Sequence, residues 1–143
     1  MTKYEWLQDR VARSPVLFVP VQSERIPAQS MRMDGECAIF FDESAFETDA
    51  ERAVALSHEK GHCDAGAFYT LLAPFETRGR CEQRAWRRSV FELTPFDELM
   101  KAFGACATAD GVTAHDLAEY LDTTADFVLR AIEIYVRLGE MAG

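Results

Sequence analysis

Ser57-His58-Glu59-Lys60-Gly61-His62-Cys63 is the stretch from which the rest of the chain can be read. It contains His-Glu-x-x-His, a zinc-site signature whose spacing has a mechanical meaning. A helix advances about 100° per residue, so residues four apart stand one above the other on one face. His58 and His62 can then each offer an imidazole nitrogen to a single metal ion. Glu59, beside the first His, leans to the same side; it reads as a general base that takes a proton from water, not as a ligand. Two of the three His in the chain fall here. That favours a metal-binding helix over a solvated helix carrying the same letters.

Working upstream, Thr48-Asp49-Ala50-Glu51 fits a capping box and starts this helix. Val54, His58 and His62 form one row, and Glu51, Ala55 and Glu59 the next. A row that begins apolar faces inward, and two inward imidazoles need partners. Gly61 weakens the helix but lets another backbone approach closely. Asp64 and Gly66 suit the helix end. Lys60 is expected to point to solvent. Before the helix, Asp34-Gly35 separates Ser30–Met33 from Cys37–Phe41, a hairpin signal. The strand Glu36–Phe41 is expected to hold an extended peptide by main-chain pairing. Val16–Pro20 reads as a short buried or edge strand bounded by prolines, and Tyr4–Val11 as a short helix.

Downstream, the segment from Ala67 to Gly79 reads as a loop. Its Phe68, Tyr69, Leu71, Leu72 and Phe75 either line a cleft or pack beneath the loop. Then Glu82, Ala85, Trp86, Ser89, Val90 and Leu93 recur at helical spacing and predict a helix of about three turns with one inward stripe. Glu82 heads that stripe. A carboxylate there is expensive unless paired or bound to metal, so Glu82 is the candidate third ligand, with Glu76 as fallback. Two structural explanations compete: a favourable place in the first helical turn, and an ion pair with Arg78 or Arg80. Thr94-Pro95 opens a helix carrying Phe96, Leu99, Met100 and Phe103. Thr113 starts another to about Leu121, and a last helix ends near Gly139. This final pair resembles a helix-turn-helix, but Asp116, Glu119, Asp122, Asp126 and Glu133 outnumber Arg130 and Arg137. Packing or protein docking is expected of it rather than DNA reading. His115 reads as a surface or capping residue.

The 143 residues, 48% hydrophobic, are enough for one compact core. Fifteen basic against twenty-four acidic residues leave a net charge of −9, which opposes direct nucleic-acid binding and suits a basic protein partner. No apolar leader and no membrane-spanning run is evident. Cys37, Cys63, Cys81 and Cys106 show no C-x-x-C pairing, so a cytoplasmic protein with reduced thiols is expected. Cys63 and Cys81 lie near enough to the motif for a thiolate ligand to be conceivable, against the simpler role of small buried hydrophobes.

Four blocks together resemble the ImmA/IrrE family of metallopeptidases, in particular its short, mobile-element-encoded members. They are His58–Cys63, Gly66–Tyr69, Glu82–Trp86 and Leu93–Leu99, followed by a similar helical ending from Asp116 to Val128. The resemblance implies a gluzincin-like α+β fold: a small antiparallel sheet beside the motif helix, further packed helices and a C-terminal helical pair. It implies a catalytic core over 1–93 and a helical segment over 94–143 packed on it. It implies Zn2+ held by His58, His62 and Glu82, with Glu59 as catalytic base. The implied activity is cleavage of a basic DNA-binding repressor of a phage or mobile element. The alternative is a zinc-stabilised regulator that inactivates the repressor by binding alone. Lys60 departs from the family pattern, where an apolar residue is usual.

Overall fold

The computed structural model describes residues 1–70 and 72–139. Leu71, named above in the cleft loop, and the last residues of the 94–143 segment lie outside the described residues. Among those described, six helices and one three-stranded sheet make an α+β fold. The helices are α1 (Lys3–Ala12), α2 (Asp49–Ala65), α3 (Phe75–Leu93), α4 (Phe96–Cys106), α5 (Ala114–Leu121) and α6 (Ala125–Arg137). The strands are β1 (Leu17–Pro20), β2 (Ala28–Met33) and β3 (Glu36–Phe41). No helix among the described residues is long and apolar enough to cross a membrane.

The hairpin forms where its turn chemistry requires. Asp34 and Gly35 take φ of 51° and 81°, the paired positive values of a tight hairpin turn. β2 and β3 run antiparallel from Met33 opposite Glu36 to Ala28 opposite Phe41. The expected all-antiparallel sheet is corrected, because β1 pairs parallel to β3, from Leu17 beside Ala38 to Pro20 beside Phe41. The strand order is β1-β3-β2. This also corrects the role given to Glu36–Phe41. β3 is paired on both sides, so its main chain is not free for a peptide; β2 is the edge that borders α2.

α2 starts at Thr48, whose hydroxyl accepts from the Glu51 N–H at 3.1 Å. The Glu51 carboxylate reaches the Glu47 N–H, at 3.5 Å, instead of the cap residue. α3 is longer than predicted. Its first two turns carry no buried row, since Phe75 is 84% exposed, so the apolar pattern begins only near Cys81. Thr94 does not cap α4: Pro95 occupies that position, and the buried Thr94 hydroxyl has no partner.

One cluster of buried side chains joins all of this. Leu7, Ile39, Phe41, Leu56, Val90, Leu99, Leu117, Phe127 and Val128 belong to it, and each such side chain contributes about 1.5–3 kcal/mol on burial. The α5–α6 pair turns its Leu117, Leu121, Phe127, Ala131 and Tyr135 into this cluster. α2 and α3 pack most intimately at Gly61. A Cβ there would sit 3.0 Å from the Ala85 carbonyl carbon and closer still to its oxygen. Only glycine permits that approach. The buried hydroxyls of Ser57 and Ser89 bond across the same seam.

Two further expectations are corrected. Lys60 is buried, not solvated: its Nζ lies 2.6 Å from Asp64 and 3.0 Å from Glu92, and Glu92 also takes Arg10 at 3.0 Å. The two carboxylates offset the cost of burying the ammonium. Cys37 and Cys63 form a disulfide joining β3 to α2, with their Cα atoms 5.7 Å apart. Cys81 and Cys106 carry free thiols.

Candidate metal centre

The sequence of α2 sets the first two donors. One helical turn separates His58 from His62, and their ring centroids lie 4.7 Å apart. α3 crosses α2 at the Gly61–Ala85 contact and brings Glu82, one turn earlier, up to both rings. Glu82 Oε2 is 2.8 Å from His58 Nε2, and Oε1 is 3.1 Å from His62 Nε2. Donor atoms of all three residues lie within 4.8 Å of one another. The His58 contact is a hydrogen bond, and the three side chains point the atoms a metal would use at one another.

The remaining atoms of the three residues are oriented. Gly66 ends α2 in the left-handed region, at φ 61°, and turns the Ala67 carbonyl back to accept from His62 Nδ1 at 2.6 Å. With its proton fixed on Nδ1, His62 presents a lone pair at Nε2. Trp86, one turn beyond Glu82, stacks on the His58 ring with centroids 4.1 Å apart and planes 17° apart. The Arg130 guanidinium of α6 covers the other side of that indole, 4.0 Å from its centroid. Tyr69 donates to Glu82 Oε1 at 3.0 Å.

Glu59 is buried and, among the described residues, engages no Lys or Arg. Its Oε1 accepts from both the N–H and the hydroxyl of Ser30, at 3.0 and 3.2 Å. Its Oε2 stands 3.5 Å from His58 Nδ1. Burial is the largest influence on His58 and holds its pKa below the ordinary value, despite the opposing charges of Glu59 and Glu82. The neutral imidazole a metal requires is therefore favoured. Burial pushes the Glu82 pKa up, but His58 and His62, with hydrogen bonds from Tyr69 and His58, outweigh it and leave the carboxyl lowered.

These groups line a cleft of about 840 Å³, bordered by β2 and by Phe68 and Tyr69 of the loop. Glu76 is exposed and not among the clustered donors. Cys63 is tied to Cys37, and the Cys81 thiol donates to the Phe68 carbonyl at 3.6 Å, so neither joins the group. His115 is exposed and near Glu119. The stripe reading missed the Ser30 clasp on Glu59 and the Trp86–Arg130 stack. Each joins residues 29 or more positions apart, beyond the reach of local periodicity. Comparison of the chain with protein-family models, curated proteins and solved structures finds no match, so the family likeness rests on the residue blocks alone.

Proposed function

We propose that this chain is a zinc-dependent metallopeptidase acting as an anti-repressor, with a basic DNA-binding repressor of a phage or mobile element as substrate. The observation that carries the peptidase reading is the convergence of His58, His62 and Glu82 beside the buried Glu59 carboxylate. His58 Nε2, His62 Nε2 and a Glu82 carboxylate oxygen would hold the ion. This His2Glu set is of the kind that leaves one position open in catalytic zinc sites, and its imidazoles suit zinc better than calcium or magnesium. A motif helix flanked by a small sheet supports a zincin-like reading, with 1–93 as catalytic core and 94–143 as a helical segment packed on it. When bound, zinc supplies a Lewis acid that lowers the pKa of water from about 15.7 toward roughly 7.

The chain's own residues supply the rest. Ser30 pins one oxygen of Glu59, so the carboxylate keeps Oε2 for proton transfer. Oε2 accepts a proton from the attacking water and returns it to the departing amine. Ala67 and Trp86 hold the imidazoles in orientation. β2, which among the described strands pairs with β3 alone, accepts an extended peptide along its outer side. The Ser30 N–H is turned away from β3 to Glu59, so alternation turns the main-chain groups of Ala28 and Arg32 outward as well.

The choice of a repressor rests on the family likeness, supported by the acidic balance of the chain, which attracts basic partners. Glu59→Gln separates cleavage from mere binding. The variant should retain zinc and lose repressor cleavage by two orders of magnitude or more. Undiminished cleavage removes Glu59 from the chemistry, and derepression without any cleavage supports the binding-only regulator.

A further inference from the structure

Among the described residues, Arg32 is the one Lys or Arg that lines the cleft with His58, Glu59, His62 and Glu82. Three arginines elsewhere, on α2 and α3, are engaged. Arg52 pairs with Asp49, and Arg84 and Arg88 donate to carbonyls at the end of α2. No carboxylate among the described residues lies within ion-pairing distance of Arg32. Its guanidinium lies over Phe68, 5.0 Å from the ring centroid. A stacked guanidinium keeps its edge donors free and its fork held in one plane, the arrangement that receives a carboxylate bidentately.

Register says which substrate side chain it would meet. Ser30 and Arg32 are two apart on β2 and share a face. That face looks toward α2, since Ser30 reaches Glu59 and Cys37, the β3 partner of Arg32, is bonded to Cys63. A peptide strand added to β2 places its residues opposite these two on the same face, with paired Cβ atoms about 4.5–5.5 Å apart. The residue opposite Ser30 lies over the clustered donors, and the one opposite Arg32 is two positions, roughly 6.8 Å, away.

We infer that Arg32 selects an aspartate or glutamate two positions from the substrate residue that faces Ser30. This rests on the reading of the cleft as a peptide-binding site. Elsewhere the chain, at −9, repels acidic peptides, so the preference is local to Arg32. Arg32 Nη2 also lies beside Gly66 at the C-terminal end of α2; a purely helix-stabilising role there would show as a lowered urea midpoint in Arg32→Ala with peptide preference unmoved.

The test uses the zinc-loaded full chain and extended peptides carrying Asp, Glu, Ala or Lys at each position in turn. Cleavage is measured on wild type, and binding on the Glu59→Gln background. At a single position, acidic peptides should be preferred over Ala by tenfold or more. Arg32→Ala should level that preference and Arg32→Glu should invert it toward Lys, with zinc content and urea midpoint unchanged. An acid preference untouched by Arg32→Glu, or none at any position, overturns the inference, as does peptide neither bound nor cut. Cleavage with no acid preference overturns it while sparing the peptidase reading. Arg32-dependent binding of acidic peptides that are never cut sustains it while the peptidase reading falls.

Discussion

Gly61→Ala tests the link between helix packing and the donor cluster. In an isolated helix the change stabilises by about 1 kcal/mol. Here the new methyl meets backbone, lying 3.0 Å from the Ala85 carbonyl carbon and nearer its oxygen. A carbonyl in the middle of α3 cannot rotate aside, so α2 and α3 must separate by about 1 Å to restore ordinary contact. Overpacking of this kind costs about 1–3 kcal/mol. At the upper end, expected for backbone against backbone, the net loss is about 2 kcal/mol after the propensity gain. Glu82 sits one turn before Ala85 and moves with it. A displacement of about 1 Å is large against zinc–ligand bonds of about 2.0–2.2 Å, so zinc affinity should fall tenfold or more. Urea midpoints of the metal-free protein and chelator competition for zinc read the two effects separately. A variant about 1 kcal/mol more stable than wild type, as propensity alone dictates, with unchanged zinc affinity, would refute the reasoning.

Trp86→Ala should weaken zinc binding about tenfold, as loss of an orienting neighbour does. Trp86→Phe, which keeps a ring against His58, should recover most of it in the same competition assay. Burial, with the charge of Glu43, raises the Tyr4 hydroxyl to about 12, whereas in the unfolded chain it ionises near 10. The stability this represents is whole below pH 10 and is lost as pH climbs to about 12. Urea midpoints across that range should fall for wild type and less for Tyr4→Phe. The Cys37–Cys63 bond closes a loop with separation 26, for which chain entropy gives about 3.5 kcal/mol. The unfolded, unreduced protein should titrate two thiols, and four, with correspondingly lower stability, after treatment with a dithiol.

The core of the site was legible because its signals are local. The i, i+4 pair His58 and His62, the Thr48 cap and the stripe headed by Glu82 each depend on one helix. Asp34-Gly35 announced its hairpin through the positive φ that turn demands. What the sequence hid depends on pairs made only by the fold. Four residues of β1 carry no mark of strand direction. Lys60 reads as a surface residue until Glu92, 32 positions on, is brought against it. Cys37 and Cys63 have no spacing motif and become neighbours only when β3 packs beside α2. β3 is closed to a substrate because β1 lies along its other edge, a pairing of residues distant in sequence. The early turns of α3 bury little, so periodicity could not find them.

Zinc stoichiometry of the purified chain, wild type against Glu82→Ala and Glu59→Gln, bears most directly on the proposed centre. Close to one zinc per chain is expected for wild type and Glu59→Gln, with most of it lost in Glu82→Ala. A Glu82→Ala protein that holds zinc as tightly as wild type, or a wild type that binds none, would contradict the three-residue metal site on which the functional proposal stands.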